Sequence, residues 1–187
     1  MQDGKTEMVI RRRLMDDVSM GRALRRLGHQ LIESVDDVSN LALVGIRTRG
    51  VPLARRLQSI IADAEHVTPP VGELDITLYR DDVFEGMVTP EVRPTHLPFS
   101  VAGMTLVLVD DVLYTGRTVR AAINLLLDYG RPERIELAVL ADRGHRELPI
   151  AATYCGVEVE TQPKDYLRVH FEEKDGKDQV IHYREED

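Results

Sequence analysis

Regular patterning begins at Met20: Met20, Leu24, Leu27, Leu31 and Val35 recur at the three- and four-residue spacing of one helical face, which predicts an amphipathic helix over residues 19–35. Projected at about 100° per residue, Arg22, Arg25, Arg26 and His29 gather on the opposite face. The pattern then changes. Leu41–Ile46 is an unbroken apolar run suited to a strand buried on both sides. It leads into Arg47-Thr-Arg-Gly50 and a helix beginning near Pro52, with Leu53, Leu57, Ile60 and Ile61 as its buried stripe. The same strand, loop and helix recur as Met104–Val109, Asp110–Thr118 and Val119 to about Tyr129, where Gly130 and Pro132 stop the helix. A third apolar strand is expected at Ile135–Leu140, and Glu73–Leu78 alternates as a strand should. Buried strands alternating with helices predict an α/β fold with a mainly parallel central sheet flanked by helices.

The length of 187 residues fits one domain spanning residues 1–187. Within it, Tyr79–Ser100 contains Pro90, Pro94 and Pro98 and little periodicity, so a mobile, functional loop is expected over about residues 79–100. Short strand-like segments after Ala151, Val157–Val159 and Leu167–Phe171, predict a small accessory lobe built from residues 151–187. A hydrophobic share of 43% with 30% charged residues excludes a wholly disordered chain. The single cysteine, Cys155, excludes an internal disulfide framework and a multi-cysteine metal cluster, and points to a reducing, cytoplasmic setting. Met1–Arg13 has no apolar signal region and no apolar run approaches the roughly 20 residues that span a bilayer, so no membrane role is expected.

Charge changes this picture more than composition does. The net of −8 argues against a surface that grips nucleic acid everywhere. Its distribution is uneven: residues 1–56 hold eleven Lys and Arg against seven Asp and Glu, a net of +4, which leaves −12 on residues 57–187. The arginine face of the first helix is either a solvated face or a confined basic patch, and only Glu33 lies near it as a partner within the helix.

The densest chemistry is Val107-Leu-Val-Asp-Asp-Val-Leu-Tyr-Thr-Gly-Arg-Thr118. Two acids at a strand end, then hydroxyls and a glycine, then a helix, is the order that places an anion outside the carboxyl edge of a parallel sheet. Thr115 and Thr118 offer hydroxyl donors, Gly116 permits close backbone approach, and Asp110 and Asp111 can accept from a ribose diol directly or through a divalent cation's water shell. Ordinary turn chemistry also uses Asp and Thr-Gly; the strand before and helix after favour the anion site.

This string resembles the phosphoribosyl pyrophosphate (PRPP) motif of type I phosphoribosyltransferases. The resemblance makes Gly45-Ile-Arg-Thr-Arg-Gly50 the counterpart of that family's pyrophosphate loop, which holds a non-proline cis peptide, although a basic turn would carry the same residues. It makes Tyr79–Ser100 the loop that closes over PRPP, with Tyr79 and Arg80 as ligand-reaching candidates. Purine enzymes of the class carry an Asp where this chain has Tyr114, a phenol that is a poor base at neutral pH. An orotate enzyme stays open on the loop alone.

Longer blocks are more specific. Val107–Ala121, Asp128–Pro132, Leu137–Ile150, Gly72–Asp82 and Arg22–His29 closely resemble the PyrR family and cover most of residues 20–155. That family shares the type I fold, regulates pyrimidine operons by binding messenger RNA in response to uridine nucleotides, and makes UMP from uracil and PRPP. The resemblance implies that Arg47, Thr48, Arg49 and Gly50, with Mg²⁺ brought by PRPP, stabilise departing pyrophosphate. Asp110 and Asp111 would position the ribose, and Val112, Leu113, Tyr114, Thr115, Gly116, Arg117 and Thr118 would bind substrate, the last four at the 5′-phosphate. Asp142 or Arg143 would meet the uracil edge, unless they form a surface turn. For pyr leader mRNA the resemblance points to His29, Thr48 and Arg143, to which the helix adds Arg22, Arg25 and Arg26. UMP or UTP would act as effectors, and a homodimer or higher homo-oligomer is implied. Two alternatives remain at this level: a nucleotide-sensing RNA regulator with vestigial catalysis, and a phosphoribosyltransferase for another base without RNA function.

Overall fold

A computed structural model of the chain describes residues 8–79 and 94–185. The first helix, α1 (Asp17–Ser34), starts at Asp16, whose side chain accepts from the Ser19 backbone N–H while the Ser19 hydroxyl accepts from the Asp16 backbone N–H. Met20, Ala23, Leu24, Leu27 and Leu31 are buried, and Arg22, Arg25, Arg26 and His29 are exposed, as the helical spacing requires. Before α1 lies a strand the apolar pattern does not announce, β1 (Met8–Met15), whose Arg11, Arg12 and Arg13 face solvent.

A five-stranded parallel sheet forms the body, in the order β3-β2-β4-β5-β6. Its strands are β2 (Leu41–Ile46), β3 (Val71–Leu74), β4 (Thr105–Leu113), β5 (Arg134–Asp142) and β6 (Tyr154–Glu158). Successive residues of β2 and β4 serve opposite cores. Leu41, Leu43, Val107 and Val109 pack with α1 and α2 (Gly50–Glu65), while Ala42, Val44, Leu106 and Leu108 pack with α3 (Arg117–Asp128). Burial on both sheet faces explains why these strands read as continuous apolar runs.

A second, three-stranded antiparallel sheet has the order β1-β8-β7, from β7 (Tyr166–His170) and β8 (Gln179–Glu185), joined by the one-turn α4 (Glu172–Asp175). This is the accessory lobe, with two corrections. The segment around Val157 belongs to the main sheet, because β6 pairs in parallel with β5, and the lobe takes its third strand from the N-terminal side as β1. Two boundaries in the body also move. The strand expected at residues 73–78 is β3 at Val71–Leu74, ended by Asp75, whose carboxylate accepts from the Thr77 backbone and hydroxyl. β4 does not stop at Val109: it pairs with β5 as far as Leu113 opposite Asp142, which places Asp110 and Asp111 inside a strand. Arg80 and most of the expected mobile loop lie outside the described residues.

Candidate active site

Two strand ends and the loops after them converge at the carboxyl edge of the parallel sheet. After β2 the chain turns through Arg47-Thr48-Arg49, with the Arg47–Thr48 peptide in the cis form that the resemblance implied. Gly50 then begins α2 directly against β4: a Cβ built there would lie 2.1 Å from the Val109 carbonyl oxygen and 3.3 Å from Asp110 Cα. Only a hydrogen fits, so the absent side chain of Gly50 brings the arginine loop beside the acidic pair.

The resulting cleft has a volume of about 630 Å³. Arg47, Thr48 and Arg49 line one side, Asp110, Asp111, Val112 and Thr118 another, and Asp75–Thr77 a third. Asp110 is almost fully buried and accepts from the Asp111 backbone N–H at 2.9 Å. Burial pushes the Asp111 carboxyl above the usual range; its hydrogen bond with Asp110 and the positive charge of Arg49 pull the other way. The two arginines are held by carboxylates. Arg47 Nη2 donates to Glu73 Oε2 at 2.6 Å, and its buried Nε has no hydrogen-bond partner among the described residues. Arg49 turns toward the second sheet, donating from Nε to the Val169 carbonyl at 2.6 Å and from Nη2 to Asp175 at 3.1 Å.

The loop after β4 runs into the start of α3. Gly116, at φ +91°, caps α3, a backbone conformation that favours glycine. Of residues 115–118 it is Thr118, in the first turn of α3, that lines the cleft, while the Arg117 N–H donates to Thr115 Oγ1 at 3.3 Å. Arg117 is ion-paired with Glu147 at 2.6 Å, while Thr115 accepts the Glu147 and Leu148 backbone N–H groups through its carbonyl. Leu113 is buried in the sheet.

A smaller pocket of about 270 Å³ adjoins the cleft, bounded by Asp111, Val112, Tyr114, Arg143, Tyr166 and Leu167. The Arg143 guanidinium stacks 3.9 Å from the Tyr114 ring centroid and is 5% exposed; burial draws its pKa down. Arg143 therefore belongs to a pocket wall rather than to the exposed α1 face. Asp142 is occupied otherwise, accepting from the Gly144 N–H and pairing with Arg146, the turn that its neighbourhood in sequence left open. Tyr79 donates its hydroxyl to Asp128 at the end of α3. Thr48 lies exposed in the cleft. Arg26 donates to the Gly156 carbonyl of β6, so part of the α1 face is engaged internally.

Sequence patterning missed Tyr166 and Lys174, which line the cleft from the second sheet and from α4. They reach it only because β7 and α4 fold back over the strand ends, a contact no local spacing announces. Asp75 and Thr77 were read as strand residues; the Asx-type turn they form carries a signal in Asp-x-Thr. Among the described residues no group of three or more His, Cys, Asp or Glu could hold a metal ion, and no helix is long and apolar enough to cross a membrane.

Comparison with known proteins agrees with this architecture. The phosphoribosyl transferase domain family matches residues 13–169. Among solved structures, a hypoxanthine phosphoribosyltransferase from Staphylococcus aureus superposes with a TM-score of 0.68 at 17% identity, covering 95% of this chain and 93% of that one. The hypoxanthine phosphoribosyltransferase of Trypanosoma cruzi gives 0.69 at 15%, covering 95% and 98%. At such identities the likeness carries the fold alone. Sequence relatives are nearer: the bifunctional protein PyrR of Thermus aquaticus is 54% identical over 167 residues, 89% of this chain and 92% of that protein. That of Clostridioides difficile is 51% identical over 173 residues, 92% and 98% respectively. With 54% and 51% identity to these proteins over about nine-tenths of its length, and with the arginine loop and the acidic pair brought together on this fold, the chain belongs to the PyrR family of the phosphoribosyltransferases.

Proposed function

We propose that this protein transfers the phosphoribosyl group of PRPP to uracil, yielding UMP and diphosphate, and that it binds the leader mRNA of a pyrimidine operon in a manner governed by uridine nucleotides. The observation that carries the catalytic half is the cleft itself: the cationic loop, the paired carboxylates and Thr118 at the start of α3 line one 630 Å³ space. Uracil nitrogen would attack the anomeric carbon as its bond to pyrophosphate oxygen breaks. The ribose then gains positive charge and the leaving group negative charge. Arg47 and Arg49, with the backbone of residues 48–50, would stabilise the leaving oxygens, and the unfilled Nε of Arg47 is a donor suited to them. Asp110 and Asp111 would hold the ribose hydroxyls and offset the cationic sugar, while residues 115–118 would hold the 5′-phosphate.

Phosphoribosyltransferases use PRPP with Mg²⁺, and the residues present fit such a complex. A carboxyl whose pKa is raised by burial, as at Asp111, is the kind of group a cation favours in its ionised form. Mg²⁺ would supply charge neutralisation on the diphosphate. The base would sit in the 270 Å³ pocket between Val112, Tyr114, Arg143 and Tyr166. Among the described residues no side chain stands out as a general base, and positioning would carry the rate.

For RNA, Arg22, Arg25 and His29 give α1 an exposed basic face suited to the phosphates and unstacked bases of a hairpin loop. UMP or UTP bound in the cleft would change RNA affinity through reciprocal coupling, and a homodimer or larger assembly would multiply the face. The test is direct. Protein incubated with PRPP, Mg²⁺ and uracil, hypoxanthine or orotate should form UMP from uracil alone, and filter binding of leader RNA should change with UMP. A preference for another base, or no product, overturns the catalytic half; nucleotide-insensitive RNA binding overturns the regulatory half.

A further inference from the structure

A deeply buried charge lies outside the cleft, in the turn that precedes β7. Asp165 has a side chain 1% exposed and is surrounded by donors from three segments. Arg184 Nε reaches Oδ1 at 2.9 Å, His182 Nε2 lies 2.8 Å from Oδ2, and the Gln162 backbone N–H donates to Oδ2 at 2.8 Å. Arg11 of β1 approaches within 3.6 Å. The Asp165 N–H in turn donates to the Gln162 carbonyl at 3.0 Å, so residues 162–165 close as a turn fastened at both ends. Arg184, the turn N–H and His182 hold the carboxyl far below its usual range against the opposing effect of burial.

That turn is what holds Arg143. The guanidinium donates from Nη2 to the carbonyls of Gln162 at 3.1 Å and Pro163 at 3.3 Å, and Nε lies 3.4 Å from Thr161 Oγ1. The Thr161 hydroxyl donates back to the Arg143 carbonyl at 3.0 Å. Held so, the guanidinium lies on the Tyr114 ring and the pair forms one wall of the 270 Å³ pocket. Tyr166, the residue after Asp165, contributes to the same pocket.

We infer that Asp165, with His182 and Arg184, is a positioning residue for the base pocket: it fixes the 162–165 turn, the turn carbonyls fix Arg143, and Arg143 on Tyr114 sets a wall that fits a single-ring base. The inference rests on the base pocket assigned under the proposed function. It makes the Asp165 corner of the second sheet a condition for base affinity and not for PRPP affinity, because Arg47 is held by Glu73 and Arg49 by Val169 and Asp175, none of them a partner of Asp165.

The test is Asp165→Asn in the full chain, alone and combined with Arg143→Ala. The expected result is a rise in KM for uracil of at least about tenfold, the equivalent of one charge-assisted hydrogen bond, with KM for PRPP unchanged. In the Arg143→Ala background the second substitution should add nothing to KM for uracil. Equal rises in both KM values, or additive effects in the double variant, overturn the inference and return Asp165 to a purely structural role. If Asp165→Asn does not fold, Arg184→Gln keeps the Asp165–His182 pair and should raise KM for uracil alone; an unchanged value overturns it. Tyr ring NMR separates this from the functional reading. If the wild-type protein forms no UMP, the functional reading falls. The Tyr114 resonance, assigned with Tyr114→Phe, still shifts in Asp165→Asn when Asp165 places Arg143, and stays fixed when it does not.

Discussion

Gly50→Ala isolates the contact that assembles the cleft. The backbone at Gly50 is not in the left-handed region, and alanine is a good residue for the first turn of a helix, so neither conformation nor propensity opposes the change. The obstacle is steric. The new methyl would stand 2.1 Å from the Val109 carbonyl oxygen, whereas close carbon-to-oxygen contacts settle at about 3.3 Å, so the two segments must separate by roughly 1 Å. The obstructing atoms are strand backbone inside the parallel sheet, where β4 is paired on both sides, so the arginine loop and the start of α2 must move instead. A displacement of 1 Å between reacting groups costs about a hundredfold in rate, and overpacking of this kind costs about 1–3 kcal/mol in stability. The measurement is steady-state UMP formation with PRPP varied, beside thermal melting and leader RNA binding by the same preparation. The expected outcome is kcat/KM for PRPP lower by about a hundredfold, a melting temperature lower by several degrees, and RNA affinity in the absence of nucleotide unchanged. A variant within about threefold of wild-type kcat/KM would refute the claim that this contact sets the distance between the arginine loop and the acidic pair.

Asp110→Asn with Asp111→Asn should reduce turnover by at least about a hundredfold, with the circular dichroism spectrum preserved, because both side chains face the cleft; retained activity in an initial-rate assay would remove the ribose assignment. Arg22→Ala with Arg25→Ala should weaken leader RNA binding and make its salt slope shallower by roughly 1.4, while UMP formation stays at wild-type level; an unchanged slope would return this face to solvent. Tyr154 donates to Glu136 at 2.6 Å, and its phenol is pushed up to about 12, by burial first and by Glu136 second. An unfolded tyrosine releases its proton near 10, so the folded chain holds the extra proton between these values and stability falls as pH rises across that window. Tyr154→Phe should flatten the alkaline limb of a melting-temperature profile, and an equally steep limb would contradict the linkage.

How much was legible in the sequence depends on how local the cause was. Leu41–Ile46 announced β2 because both faces of a central parallel strand are apolar, and the Asp-Asp and Thr-Gly-Arg-Thr string was legible because its residues are contiguous along the chain. The extension of β4 through Asp110 to Leu113 was hidden, since two acids read as a strand end although the β5 backbone continues to pair with them. β1 was hidden for a related reason: Met8–Met15 carries three exposed arginines and acquires its strand form by pairing with β8, far away in sequence. Tyr166 and Lys174 come to the cleft through the packing of one sheet over another, and the turn that holds Arg143 depends on Asp165, His182 and Arg184 meeting across a lobe. None of these leaves a periodic trace.

Folding also redistributes the charge that the chain segregates. The N-terminal cations are largely answered by acids from later in the sequence: Arg47 and Arg55 by Glu73, Arg49 by Asp175, and Arg56 by Glu173 and Asp178. Arg11 lies against Asp165. Arg26 is spent on the Gly156 carbonyl. Arg12, Arg13, Arg22 and Arg25 are exposed and form no ion pair among the described residues. The net of +4 on residues 1–56 therefore does not describe one basic surface. Part of it clamps α2 and the arginine loop to the acidic second sheet, where pyrophosphate would have to compete with Asp175 for Arg49. The rest stays outward on α1 and β1, where a polyanion meets no internal competitor. An anion in the cleft and a polyanion on α1 thus draw on different arginines, so coupling between them would not run through shared charge.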